Sequence, residues 1–168
     1  MTEVPSGSWD SPYLENFARD VAPEHDEGGE TDAEADVHAW YTRGLELLGK
    51  GSPAAAAQVL QRAADAEPSS RSVREALARA QFDSGQYVAA ADNFRLIVDA
   101  SPADDYAHFG LGLSLARSGD PASAAEYLAL AAAMRPDHKH YTDALHQVRA
   151  TLHSRASQTG PAQTGEDD

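Results

Sequence analysis

A step of 34 residues runs through the middle of this 168-residue chain and limits what it can become. Gly51, Gly85 and Gly119 are each 34 apart, as are Pro68, Pro102 and Pro136. The same step links Ala56, Ala90 and Ala124; Leu60, Phe94 and Leu128; Ala63, Ile97 and Ala131; and Gly44, Ala78 and Gly112. Columns that match in register make an array of identical supersecondary units, each too small to bury its apolar face alone. Two helices are expected per unit, over 37–50 and 53–66, 71–84 and 87–100, and 105–118 and 121–134. The three glycines fall between them, where a tight turn needs backbone freedom. Ser52-Pro53 and Asp120-Pro121 each place a capping residue before a proline at the first helical position. The prolines at 68, 102 and 136 stop the second helix of each pair.

At these residues the chain resembles the tetratricopeptide repeat family. Trp40, Gly44, Leu47, Ala56, Leu60, Ala63 and Pro68 fit its motif in the first unit. Leu77, Ala78, Ala90, Phe94, Ile97 and Pro102 fit in the second, and Leu111, Gly112, Leu115, Ala124, Leu128, Ala131 and Pro136 in the third. Arg43, Gln81, Arg74 and His108 depart from it at columns that are usually apolar or aromatic. The resemblance implies an all-α fold, a right-handed superhelical α-solenoid of three helix–turn–helix repeats (37–70, 71–104, 105–138). A C-terminal capping helix is expected over 139–153, with Tyr141, Ala144, Leu145, Val148 and Leu152 turned inward. Gly44, Ala78 and Gly112 are expected where paired helices cross closely.

Charge divides the chain. Residues 1–36 carry eleven carboxylates against Arg19 alone, whereas 37–154 carry thirteen against eleven Lys and Arg. The acidic stretch up to 36 and the polar stretch 154–168 have too little to bury to offset their ordering entropy, so both are expected as disordered tails flanking the repeat domain at 37–153. The formal net charge of -14 argues against nucleic acid and anionic membrane as partners. No apolar run approaches the ~18 residues of a membrane helix, and the first twenty residues carry no secretory pattern, so a cytoplasmic protein is expected.

Chemistry is sparse. There is no cysteine. His138 and His140 are two apart and do not share a helix face, and His146 and His153 are two turns apart, so no metal or other cofactor is expected. No phosphate-cradling glycine loop or nucleophile elbow occurs. An enzyme or metal protein using the histidines is the weakest reading. Asp104-Asp105 precedes a helix and is read as support for its N-terminus.

A binding surface remains. The resemblance implies that the first helices line a concave groove, which aligns Tyr41, Leu45, Leu48, Arg79, Phe82, Tyr106, Phe109, Leu113 and Arg117 as peptide-binding residues. The aromatic and leucine side chains of that row are expected to stand exposed and mark an interface. Arg79 and Arg117 are expected to meet an acidic flank on an apolar ligand. The positions that hold a peptide's terminal carboxylate in one subtype are Tyr41, Leu45, Ala76, Tyr106 and Gly110 here, none basic and none an amide.

Upstream, Trp9, Tyr13, Leu14, Phe17 and Val21 fall within a short amphipathic segment near 11–21, in which Ser11 caps, Pro12 suits the first turn and Pro23 ends the helix. So short a helix needs a surface to be stable. The expected function is therefore a non-enzymatic adaptor that binds an apolar peptide or helix of another protein in its groove, masked by its own N-terminal helix. The alternative is a self-associating scaffold in which that helix docks on another copy.

Overall fold

The computed structural model describes residues 32–158, and every regular element among them is an α-helix. α1 is Asp32–Gly49, α2 Pro53–Ala66, α3 Arg71–Asp83, α4 Tyr87–Ala100, α5 Asp105–Ser118, α6 Pro121–Met134 and α7 Lys139–Gln158. The pairs α1–α2, α3–α4 and α5–α6 are the three repeats, and α7 packs on the end of the array against α6 and α5. Trp9, Tyr13, Leu14, Phe17 and Val21, with the rest of the expected N-terminal helix, lie outside the described residues.

The turns between paired helices are built alike. Gly51, Gly85 and Gly119 have φ of 71°, 82° and 101°, a left-handed backbone that a Cβ would strain. Asp104 and Asp120 cap α5 and α6 by accepting hydrogen bonds from the backbone N–H of Ala107 (3.0 Å) and Ser123 (3.1 Å). Ser52 occupies the same place before α2 but makes no side-chain cap bond, so Pro53 alone marks that start. Pro68, Pro102 and Pro136 each follow a C-cap residue whose N–H closes on Ala63, Ile97 or Ala131.

Two helix ends differ from the sequence expectation. α1 begins at Asp32, not 37, so the acidic stretch supplies its opening turns; Glu34, in the first turn, suits the positive end of the helix dipole. α7 runs to Gln158, five residues past 153, and Arg155 in its last turn suits the negative end. The disordered tails expected over 32–36 and 154–158 are therefore helical.

The core is a stack of crossings. Leu60, Phe94 and Leu128 on the second helices are 0%, 1% and 0% exposed, with Ala56, Ala90 and Ala124 beside them. Gly44 and Gly112 clear room for Leu60 and Leu128: a Cβ on Gly112 would lie 2.6 Å from Leu128 Cγ and 3.2 Å from the Ala124 carbonyl oxygen, and one on Gly44 would strike the Leu60 side chain. Phe94 is larger than its two counterparts, and Gly110 receives it, since a Cβ there would lie 2.5 Å from the ring. The departures from the motif are accounted for locally. Gln81 is buried, and its Oε1 accepts from Asn93 Nδ2 at 2.8 Å, while Arg74 Nη1 donates to Asn93 Oδ1 at 3.0 Å. Such a connected network avoids the penalty for buried polar atoms. His108 is buried with Nδ1 2.8 Å from the Asp104 carbonyl oxygen, and Arg43 is solvent-exposed and pairs with Glu46.

The array has an inner and an outer layer. Besides the contacts between consecutive helices, α1 approaches α3, α3 approaches α5, and α5 approaches α7; α2, α4 and α6 make no such approach to one another. Closer packing among the first helices bends the stack toward them, so their face is the concave one.

Candidate functional site

The inner layer carries every groove residue named from the sequence, but at varied depths. Leu45 and Leu48 on α1, Arg79 on α3, and Tyr106 and Leu113 on α5 are half-buried, and Arg117 is exposed. Tyr41, Phe82 and Phe109 are only 8%, 8% and 7% exposed, which corrects the expectation that the aromatic row stands free. Phe82 meets the edge of Tyr87 at 5.3 Å between centroids. Phe109 stacks on Tyr141 of α7 at 4.5 Å, and the Tyr141 hydroxyl donates to Asp105 Oδ2 at 2.8 Å. The start of α4 and the capping helix therefore cover the rings of Phe82 and Phe109. They are packed into the array instead of projecting as anchors.

The two arginines are also placed differently from the expectation of free partners for an acidic ligand. Arg117 lies over the rings of Phe82 (5.9 Å) and Tyr87 (6.0 Å), a cation–π arrangement. Arg79 pairs with Asp83, with Nε 3.7 Å from Oδ2. That is beyond hydrogen-bond length and leaves the buried Nε without an acceptor.

A second set of groups was missed as a site: Arg71, Glu75, Asp83 and Asp104. The signal was in the sequence, because Arg71, Glu75, Arg79 and Asp83 follow one another at intervals of four and alternate in sign, which puts them along one helix face. In the structure Arg71 Nη2 is 3.4 Å from Glu75 Oε2 and is also ion-paired with Asp104 Oδ2. The side chains of Glu75 and Asp104 are 12% and 7% exposed, against 59% for Arg71. Asp104 thus has two roles: Oδ1 caps α5, and Oδ2, which makes no hydrogen bond, faces Arg71.

Burial dominates the electrostatics. Loss of water pushes the Glu75 carboxyl up to about 7; Arg71 and Arg79 oppose the rise, and Asp104 adds to it. Burial likewise raises Asp83 against the pull of Arg79. The Tyr41 phenol is raised by burial and then by the charge of Glu75, and its buried hydroxyl has no hydrogen-bond partner. Tyr106 is raised strongly, again by burial first, within reach of Arg79, Glu75, Asp83 and Asp104. Glu75 and Asp104 therefore form one largely buried cluster with Tyr41 of α1 and Tyr106 of α5.

Other chemistries find no comparable arrangement. Among the described residues no three His, Asp or Glu side chains are grouped to hold a metal, and no helix is long and apolar enough to cross a membrane. His140, His146 and His153 are exposed along α7.

A family model described as tetratricopeptide repeat matches residues 41–105 and 98–139. No curated protein sequence matches the chain significantly. Among solved structures, the first such domain of Spaghetti (RPAP3), bound to the HSP90 peptide SRMEEVD, superposes with a TM-score of 0.65 at 17% identity, covering 74% of this chain and 98% of that one. MamA from Desulfovibrio magneticus RS-1 (41-end) gives 0.66 at 22% identity, covering 73% and 71%. YrrB, described as having an unusual peptide-binding site, gives 0.61 at 24%, covering 68% and 57%. At these identities the likeness is one of fold.

Proposed function

The chain belongs to the tetratricopeptide repeat family, and from that premise we propose that it is a non-enzymatic adaptor that holds a peptide or helix of another protein on its concave face. The observation that carries this reading is the row of half-buried apolar side chains, Leu45, Leu48, Tyr106 and Leu113, on the inner layer. A solenoid needs core residues between its helices; apolar groups left part-open along its inner face are spare surface of the kind that marks an interface. The peptides bound by RPAP3 domains of the same fold support a peptide as the class of ligand.

The N-terminal segment carrying Trp9, Tyr13, Leu14, Phe17 and Val21 is part of the proposal, as an intramolecular mask. With α1 starting at Asp32, ten residues (22–31) separate that segment from the array. A coil of ten residues spans about 17 Å, and a tether that short gives an effective concentration in the mM range.

The test is a pair of substitutions on the row. Leu45→Gln with Leu113→Gln is expected to abolish capture of the cellular partner while leaving helicity by circular dichroism unchanged. Retained capture would remove the concave face as the site. Deleting residues 1–22 is expected to raise partner affinity; a fall would make the segment part of the recognition surface and end the masking proposal. Docking on a second copy is the alternative, and a concentration-independent monomer in sedimentation would dismiss it.

A further inference from the structure

The cluster at Glu75 contains an imbalance that folding alone does not require. Two carboxylates buried to about nine-tenths, Glu75 and Asp104, share the guanidinium of Arg71, which is itself 59% exposed. The other nearby cation, Arg79, is engaged with Asp83. Two buried carboxylates therefore depend on one guanidinium that stands mostly in water. Arg71 is also poorly placed for its own helix. It is the first residue of α3, where a cation opposes the helix dipole. The two carboxylates hold it there, and a cation that met them without that opposition would replace it.

We infer that Glu75 and Asp104, beside Tyr41 and Tyr106, bind a cationic side chain in place of Arg71, the guanidinium or ammonium of an arginine or lysine on an otherwise apolar peptide segment. This inference rests on the concave face being the binding face. The incoming cation takes the place that Arg71 holds in the free chain, and Arg71 swings out to solvent. The phenol rings supply apolar, electron-rich walls, and the buried Tyr41 hydroxyl, which has no partner, gains an acceptor if Glu75 shifts toward it as Arg71 leaves. Arg117 over Phe82 and Tyr87 is an example, in the same layer, of a guanidinium resting on rings. The formal charge of -14 draws basic segments from a distance. Acidic segments such as SRMEEVD, held by an RPAP3 domain, meet repulsion here from Glu75, Asp83 and Asp104.

The raised Glu75 carboxyl fits this assignment, since its loss of water outweighs the pull of Arg71 and Arg79. A ligand cation seated more deeply than the 59% exposed Arg71 favours its ionised form more strongly, so binding releases a proton. The charged groups that act on it are Arg71, Arg79 and Asp104, beside the phenols of Tyr41 and Tyr106. Affinity for a cationic segment accordingly falls as pH drops through about 7.

The experiment uses the full chain and three probes, the acetylated and amidated peptide AFLRLFA and its counterparts with glutamine or glutamate at the centre. Titration calorimetry gives affinities, and NMR shifts at Leu45 and Leu113 place the peptide on the face. The arginine probe is expected to bind about tenfold more tightly than the glutamine probe, a difference of about 1.4 kcal/mol, with the glutamate probe weakest. Glu75→Gln should bring the arginine and glutamine probes to similar affinity. Arg71→Ala should strengthen the arginine probe and leave the glutamine probe unchanged. Asp104→Asn, which keeps a capping side chain, should reduce the arginine preference and covers the case of a poorly folding Glu75 variant. Equal binding of all three probes with shifts at Leu45 and Leu113 would overturn the cation site and leave the binding face standing. Failure of all three to bind would overturn both. Loss of the arginine preference in Arg71→Ala would make Arg71 part of the site and overturn its displacement.

Discussion

The second helices and the first helices of this array use the same repeat for opposite ends. On the second helices the matching column, Leu60, Phe94 and Leu128, is sealed, and small residues on the partner helices are fitted to it. On the first helices the corresponding inner row is half-open, holds charges of both signs at four-residue spacing, and contains buried polar atoms without partners at Tyr41 and Arg79. The second-helix column is sealed throughout, whereas the first helices, which also bury Leu77 and Leu111, hold the unsatisfied capacity. A position that is costly to change in the sealed layer should therefore leave binding chemistry alone, and the reverse should hold in the open one.

Phe94→Ala tests the sealed layer most severely. Emptying a site 1% exposed should cost about 3–5 kcal/mol and lower the thermal midpoint of all three repeats together. A midpoint near wild type would break the comparison. Gly112→Val comes next, because its Cβ would meet Leu128 and the Ala124 backbone; denaturant unfolding should report a loss of about 1–3 kcal/mol. Gly110→Ala should be similarly harmful alone and largely relieved by Phe94→Leu, since the smaller ring-free side chain needs no glycine opposite. A double-mutant cycle should give a coupling on the order of 1 kcal/mol.

In the open layer Glu75→Gln should act in the stabilising direction. The folded-state carboxyl is raised from 4.5 to about 7. Its contribution is therefore fully present below about pH 4.5 and is lost as pH rises through 7. Urea unfolding should find the variant near wild type at pH 4.5 and more stable by on the order of 1–3 kcal/mol at pH 8. A destabilised variant at pH 8 would mean that Glu75 is a structural ion-pair member, and the contrast between layers would fail there. The smallest effect is expected on the solvent side of the second helices. Leu96 and Leu130, 34 apart and 51% and 46% exposed, should change stability by less than about 0.5 kcal/mol when replaced by Gln.

The repeat was legible because it is written in residue types whose physics is local: glycine at left-handed turns, proline after helix ends, alanine and glycine at crossings. Asp104 and Asp120 announced their caps. Depth was not legible. A column says which side of a helix a residue occupies, but how far Phe82 or Phe109 sinks depends on what a neighbouring element lays over it, here Tyr87 and Tyr141. Gly110 is a similar case: its partner is the ring of Phe94 in the preceding repeat, and only the packed structure brings the two together. The charge ladder on α3 could have been read at four-residue spacing, yet its importance comes from Asp104, which arrives from the N-cap of α5. The helix starts and stops at 32 and 158 were missed because composition favoured tails, while the charges there suit helix ends.

α7 ends the stack with a buried seam of Tyr141, Leu145 and Val148 and an outer side of Lys139, His146 and Arg149. In the vocabulary of polymers it is a terminator. Each repeat presents its successor with a surface much like the one it received, so growth by addition of like units has no natural end within the repeat itself. A chain without α7 would carry a live propagating end, open to the first repeat of the next molecule.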